Sequence, residues 1–192
     1  MEYKNKILEQ LQDAPPLWRY CNVINKEACF SGNQYDTPYT LQEVLEKDGN
    51  GVGVLLGKHS GGLGAVDFDG TGSDITFKHH VGIHPKHLPK TVSVASGKKD
   101  RKQMFYWIPD EYVDLLSVKK RKLDGCSHFE LRSGEAYSMV AGVHPETDGY
   151  FWVPGCSPSE IGIADAPLFL LEYWAKQCKE KTSYISVKRP QE

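Results

Sequence analysis

The sequence predicts an α+β protein with a mostly antiparallel sheet and helices at its periphery. Three observations carry this. Short runs of β-branched and aromatic residues, bounded by Gly, Asp, Asn and Ser turn signals, fill the middle of the chain. Several connections between them are too short for the crossover that parallel neighbours need. Helical patterning is confined to short segments, with the clearest at the two ends.

Residues 3–12 read as a short helix, halted by Asp13-Ala14-Pro15-Pro16. Residues 17–36 mix aromatics with turn formers and read as strand and loop. Thr40-Leu41-Gln42-Glu43 has the capping-box form, so a helix opens there and runs to Lys47, where Asp48-Gly49-Asn50-Gly51 stops it. Residues 52–57 are a short buried strand and residues 63–68 the next one. The five residues between them make this unit a hairpin. Residues 70–90, rich in Gly, His and Pro, surround one short helix. Residues 91–94 and 102–108 are strands joined by the basic loop 96–101. Residues 110–118 form a short helix, and 128–132, 137–141 and 150–153 are strands. Residues 167–179 form a last helix, with Leu168, Leu171, Trp174 and Ala175 near helical spacing. One domain over 1–179 is followed by a polar tail or linker start over 180–192, which suggests a chain cut from something longer.

With 192 residues, the chain can bury a core without disulfide or metal staples. Its net charge of −2 excludes a uniformly basic nucleic-acid binder, so any such contact comes from local patches. Two candidates are Lys98-Lys99-Asp100-Arg101-Lys102 and Lys119-Lys120-Arg121-Lys122, each of which also reads as a solvated loop. Five cysteines without regular spacing point away from a disulfide framework and to a reducing, cytoplasmic setting. No Cys-x-x-Cys pair occurs, and no apolar run is long enough for a membrane span. His79, His80, His84 and His87 cluster in sequence. Gly82 and Pro85 break the helix a His-x-x-x-His site needs, so zinc is not expected.

The most informative segment is Gly64-Ala65-Val66-Asp67-Phe68-Asp69-Gly70. On a strand, positions i and i+2 share a face, so Asp67 and Asp69 stand side by side. Two adjacent like charges are costly unless a cation lies between them. Glu130, in Phe129-Glu130-Leu131-Arg132, supplies a third carboxylate on another strand. Three hard oxygen donors suit a divalent ion and phosphoryl or nucleotidyl transfer. Arg132 shares the Glu130 face of its strand and reads either as a phosphate grip or as a structural partner for Glu130.

These motifs occur in a telling order. Asp67-Phe68-Asp69 comes first, then Ser96-Gly97 leading into Gln103-Met104-Phe105-Tyr106-Trp107, then Phe129-Glu130-Leu131-Arg132-Ser133-Gly134. Val140-Ala141-Gly142-Val143-His144-Pro145 and Tyr150-Phe151-Trp152 follow. Over residues 15–175 the chain resembles the bifunctional primase–polymerase domain of the archaeo-eukaryotic primase superfamily, in the branch carried by plasmids, phages and mobile elements. The resemblance implies an RRM-like, mostly antiparallel catalytic sheet with flanking helices, packed beside a smaller α/β part. It implies two Mg²⁺ or Mn²⁺ ions held by Asp67, Asp69 and Glu130. It places Ser96, Gly97, Lys98, Lys99, Arg101, Gln103, Arg132 and His144 around the nucleotide. The second motif departs from the family, because Gln103, or Arg101 in a shifted register, stands where relatives carry a histidine. The implied activity is template-dependent nucleotidyl transfer by a DNA primase/polymerase. It would act on single-stranded DNA with a primer and NTPs or dNTPs, beside a fused or associated helicase.

The same carboxylates could serve a metal-dependent nuclease or phosphohydrolase, which would not need a triphosphate cradle. A non-catalytic replication-origin or single-strand DNA-binding module could retain them as a degenerate site.

Overall fold

The computed structural model describes residues 2–29 and 35–186. Its elements form two mostly antiparallel sheets of unequal size with helices outside them. The larger sheet is built on β4 (Leu63–Asp69), flanked by β6 (Arg101–Trp107) and β8 (His128–Arg132). Beyond β6 lie β5 (Ser93–Ala95) and β10 (Phe151–Trp152), and beyond β8 lies β7 (Lys119–Arg121). Along that path every pairing is antiparallel, while β11 (Ala164–Asp165) runs parallel to β6. The smaller sheet has the order β2 (Glu27–Ala28), β1 (Tyr20–Ile24), β3 (Gly51–Leu55), β9 (Tyr137–Gly142), again antiparallel. The α+β class expected from sequence is the one observed.

Alternation on β4 assigns the layers. Val66 and Phe68 face one side, where Phe129, Leu131, Met104 and Tyr106 join them over helices α3 (Ser73–Val81) and α5 (Leu168–Ser186). Phe77 from α3 and Leu170, Leu171 and Trp174 from α5 fill this core. Leu63 and Ala65 face the other side and pack with Phe105 against Val52, Val54 and Val140 of the smaller sheet. Each such aromatic or aliphatic side chain contributes about 2 kcal/mol by leaving water. Asp67 and Asp69 continue that second face past the point where the two sheets meet. A polar cleft opens there.

The helices follow their local signals. Ile7 and Leu11 of α1 (Glu2–Leu11) are buried one turn apart. The capping box opens α2 (Leu41–Leu45): the Glu43 backbone N–H donates to Thr40 Oγ1, and the Thr40 N–H donates to Glu43 Oε2 at 2.8 Å. In α5 the buried positions are Leu170, Leu171, Trp174 and Ala175, whereas Leu168 is 60% exposed, so the apolar stripe starts later than its spacing suggests. The helix also continues to Ser186, past the boundary at 179. Residues 187–192 of the expected tail lie outside the described residues.

Three expectations give way. Residues 52–57 and 63–68 are not a hairpin, because β3 and β4 belong to different sheets and share only the Gly57–Leu63 bridge. Between them Gly57, Gly61 and Gly62 take φ of 64°, 69° and 85°, which carries the chain from one layer to the other. The helix expected over 110–118 is one turn, α4 (Asp110–Val113). The basic run starting at Lys119 is edge strand β7 rather than a solvated loop: Lys119 is buried, Lys120 pairs with Glu130 and Arg121 donates to Gln177.

Candidate active site

Strand register builds the centre of the site. Asp67 is the direct cross-strand partner of Gln103 on β6 and of Glu130 on β8, and Glu130 is opposite Lys120 on β7. Asp69 likewise stands between Arg101 and His128. Two rows of polar side chains thus cross the sheet at the open end of its second face. They form one wall of a cleft of about 490 Å³. The other wall comes from the smaller sheet and its connections, with Lys26, Tyr137, Met139 and His144. The lining holds Lys26, Arg101, Lys102 and Arg132 together with Asp67, Asp69, Glu130 and Glu135, so the cleft is charged at both signs rather than basic.

The carboxylates are held by cations. Arg132 Nη2 lies 2.7 Å from Asp67 Oδ2 and 2.8 Å from Glu130 Oε2. Arg101 Nε lies 2.8 Å from Asp69 Oδ1. His128 Nε2 is 3.0 Å from Asp69 Oδ2 and 3.4 Å from Glu130 Oε1. Burial pushes the Asp67 carboxyl up to about 6, with Arg132 opposing and the Glu130 and Asp69 charges adding to the rise. Burial also raises Glu130, but Arg132 and Lys120 outweigh it and leave that carboxyl below its ordinary value. His128 is held low by burial, against the pull of Asp69.

Residues 24–168 match the family model described as bifunctional DNA primase/polymerase, N-terminal. The chain belongs to the Prim-Pol family. No curated protein sequence matches it. The Prim-Pol match runs from the last residue of β1 to the first of α5 and so takes in both walls of the cleft. As a Prim-Pol domain the protein is an enzyme of the DNA primase/polymerase class, a nucleotidyltransferase with DNA and nucleotides as substrates. Among the described residues no helix is long and apolar enough to cross a membrane.

The Prim-Pol domain gathers most of the residues that the motifs single out. Asp67, Asp69, Glu130, Ser96, Arg101, Gln103, Arg132 and His144 all line the cleft. Gly97, Lys98 and Lys99 do not. Gly97 turns with φ of 73° against Thr147 and Phe151, Lys98 is tied to Glu146, and Lys99 is exposed on the loop. Gln103 Oε1 is buried and has no partner among the described residues. Two charged or titratable residues, His128 and Lys26, contact the site without belonging to the motifs. His128 shares the Glu130 face two positions earlier, a signal present in the strand pattern. Lys26 belongs to the other sheet, and nothing in its local sequence points to the cleft.

The donor chemistry fits a hard divalent ion, since three carboxylates share one face on adjacent strands. Among the described residues no three His, Cys, Asp or Glu side chains close on one point in the present arrangement. Arg132, Arg101 and His128 hold the carboxylate oxygens instead.

Proposed function

We propose that the domain makes or extends primers on a single-stranded DNA template by metal-assisted transfer of nucleotides from NTPs or dNTPs. The observation that carries this is the register that makes Asp67 and Glu130 direct partners, with Asp69 two residues on along the same face. In this reading Asp67, Asp69 and Glu130 hold two Mg²⁺ or Mn²⁺ ions. Ions bound there supply activation of the attacking hydroxyl and stabilisation of the leaving pyrophosphate.

The chain's own residues do the rest. With its carboxyl raised by burial to about 6, Asp67 is still mostly ionised at neutral pH, and the Arg132 charge is what limits the rise. Arg132 holds the Asp67 carboxylate, and its planar guanidinium is also suited to the phosphates. Arg101, beside Asp69, offers a second planar grip. Ser96 and Gln103 contribute neutral hydrogen-bonding groups to the lining.

Primer extension on a primed single-stranded template with Mn²⁺ or Mg²⁺ tests the reading. Wild type should extend, and Asp67→Ala/Asp69→Ala should not. Absence of extension by folded wild type with either metal and either nucleotide set would sink it.

A further inference from the structure

Lys26 occupies a position that its backbone disfavours. It is the second residue of the two-residue turn between β1 and β2, where Asn25 and Lys26 take φ of 52° and 72°. A turn of this form favours Asn-Gly, with glycine where Lys26 stands. The turn is nevertheless braced. The Asn25 N–H donates to Asn50 Oδ1 and Asn50 Nδ2 donates to Asn25 Oδ1, each at 2.8 Å. The Tyr137 hydroxyl donates to the Lys26 carbonyl at 2.9 Å.

The side chain ends in an unusual contact. Lys26 Nζ lies 2.7 Å from Nε2 of His144, a residue only 3% exposed. The other ring nitrogen, Nδ1, accepts the Glu146 backbone N–H at 3.1 Å. A neutral imidazole carries one proton, so that proton sits on Nε2. An ammonium and an N–H therefore face each other, two donors without an acceptor between them. Burial, Lys98 and Arg101 all work against the Lys26 charge, outweighing the pull of Glu146 and Asp69, which are themselves paired with Lys98 and Arg101 respectively. The described partner of Lys26 is the histidine ring and no carboxylate.

We infer that a phosphate oxygen of the incoming nucleotide's triphosphate accepts from both Lys26 Nζ and His144 Nε2, making Lys26 a nucleotide-binding residue contributed by the smaller sheet. This rests on the nucleotidyl-transfer reading above. An anionic oxygen resolves the donor–donor contact, and the triphosphate is the substrate group of highest charge density. The DNA backbone offers the same oxygen chemistry at lower charge, and the test separates the two.

Lys26→Gly removes the cation and suits the turn, and Lys26→Asn is a second variant the left-handed conformation tolerates. Binding of a non-hydrolysable deoxynucleoside triphosphate is measured by calorimetry with Mg²⁺, and binding of a single-stranded oligonucleotide by anisotropy. Both variants should lose roughly ten- to hundred-fold in triphosphate affinity. Oligonucleotide binding should hold within about two-fold, and Lys26→Gly should melt no lower than wild type. Unchanged triphosphate affinity in the folded variants would overturn the inference while leaving the nucleotidyl-transfer reading intact. A loss confined to the oligonucleotide would also overturn it, assigning Lys26 to the DNA. Wild type that binds no triphosphate would remove the underlying reading itself.

Discussion

Arg132 reaches Asp67 on a diagonal. Its register partner on β4 is Ala65, yet its Nη2 lies 2.7 Å from Asp67 Oδ2. On its own strand Arg132 Nε donates to Glu130 Oε2 at 2.9 Å. A long side chain bridges such diagonal neighbours across an antiparallel pair. Here the small Ala65 side chain leaves the diagonal open, and one guanidinium links two carboxylates on separate strands.

Removing that guanidinium leaves Asp67 and Glu130 facing each other. Arg132→Ala should destabilise the metal-free protein by about 3 kcal/mol, the cost of stranding a largely buried carboxylate. Chemical denaturation in the presence of a chelator reads this directly. Arg132→Lys keeps the charge but not the fork, and should recover only part of the loss. An Arg132→Ala protein as stable as wild type would show that the bridge carries no net stability.

Asp67 gives the protein a pH-dependent liability. Its carboxyl, raised to about 6 by burial, holds its proton more tightly folded than unfolded. The folded state therefore binds more protons between about pH 4 and pH 6, and stability falls as pH rises through that window. Asp67→Asn removes the titration. The variant should be more stable than metal-free wild type at pH 8 by roughly 2–3 kcal/mol, with the gap closing below about pH 4. Melting curves of both proteins across that range check the sign.

His128 touches two of the three carboxylates without being one of them. Substitution by Gln should lower primer extension about ten- to hundred-fold, as loss of a group that orients charged ligands does. The fold should survive, because the ring contacts the Asp69 and Glu130 carboxylates and belongs to neither hydrophobic core. Extension rates measured alongside a melting curve separate the two effects.

Gly142 ends β9 with φ of 116°, and a Cβ there would lie 2.3 Å from Gly51 Cα and 2.6 Å from the Asn50 carbonyl oxygen. The two glycines let β9 and β3 close together just before the chain turns to His144. Gly142→Ala should cost more than about 3 kcal/mol, combining a strained backbone with a backbone clash. A denaturation midpoint near that of wild type would show that the strands can move apart.

Much of this molecule is legible one strand at a time. Asp67 and Asp69 share a face because a strand repeats every two residues, and Glu130 and Arg132 do so for the same reason. The Thr40–Glu43 box needs only four consecutive residues, and it formed as its sequence indicates. Local rules failed where the choice of partner is not local. The short link between β3 and β4 fits a hairpin, yet β3 pairs with β1 and β9, and β4 with β6 and β8. The partners of each strand come from distant parts of the chain, and the neighbour along the chain is not among them. Lys119 to Arg121 look like a solvated charge run until β8 offers them an edge to pair with.

By itself, the sequence determined the α+β class, the acidic strand and the ordered motifs that mark the chain as a Prim-Pol domain. These depend on residue type and short-range periodicity. Only the tertiary structure decided that Asp67 and Glu130 are register partners, that Arg132 bridges them, and that Lys26 faces His144 across 118 positions. Strand register and the packing of one sheet on another are set by the sum of many long-range contacts. No local pattern encodes that sum.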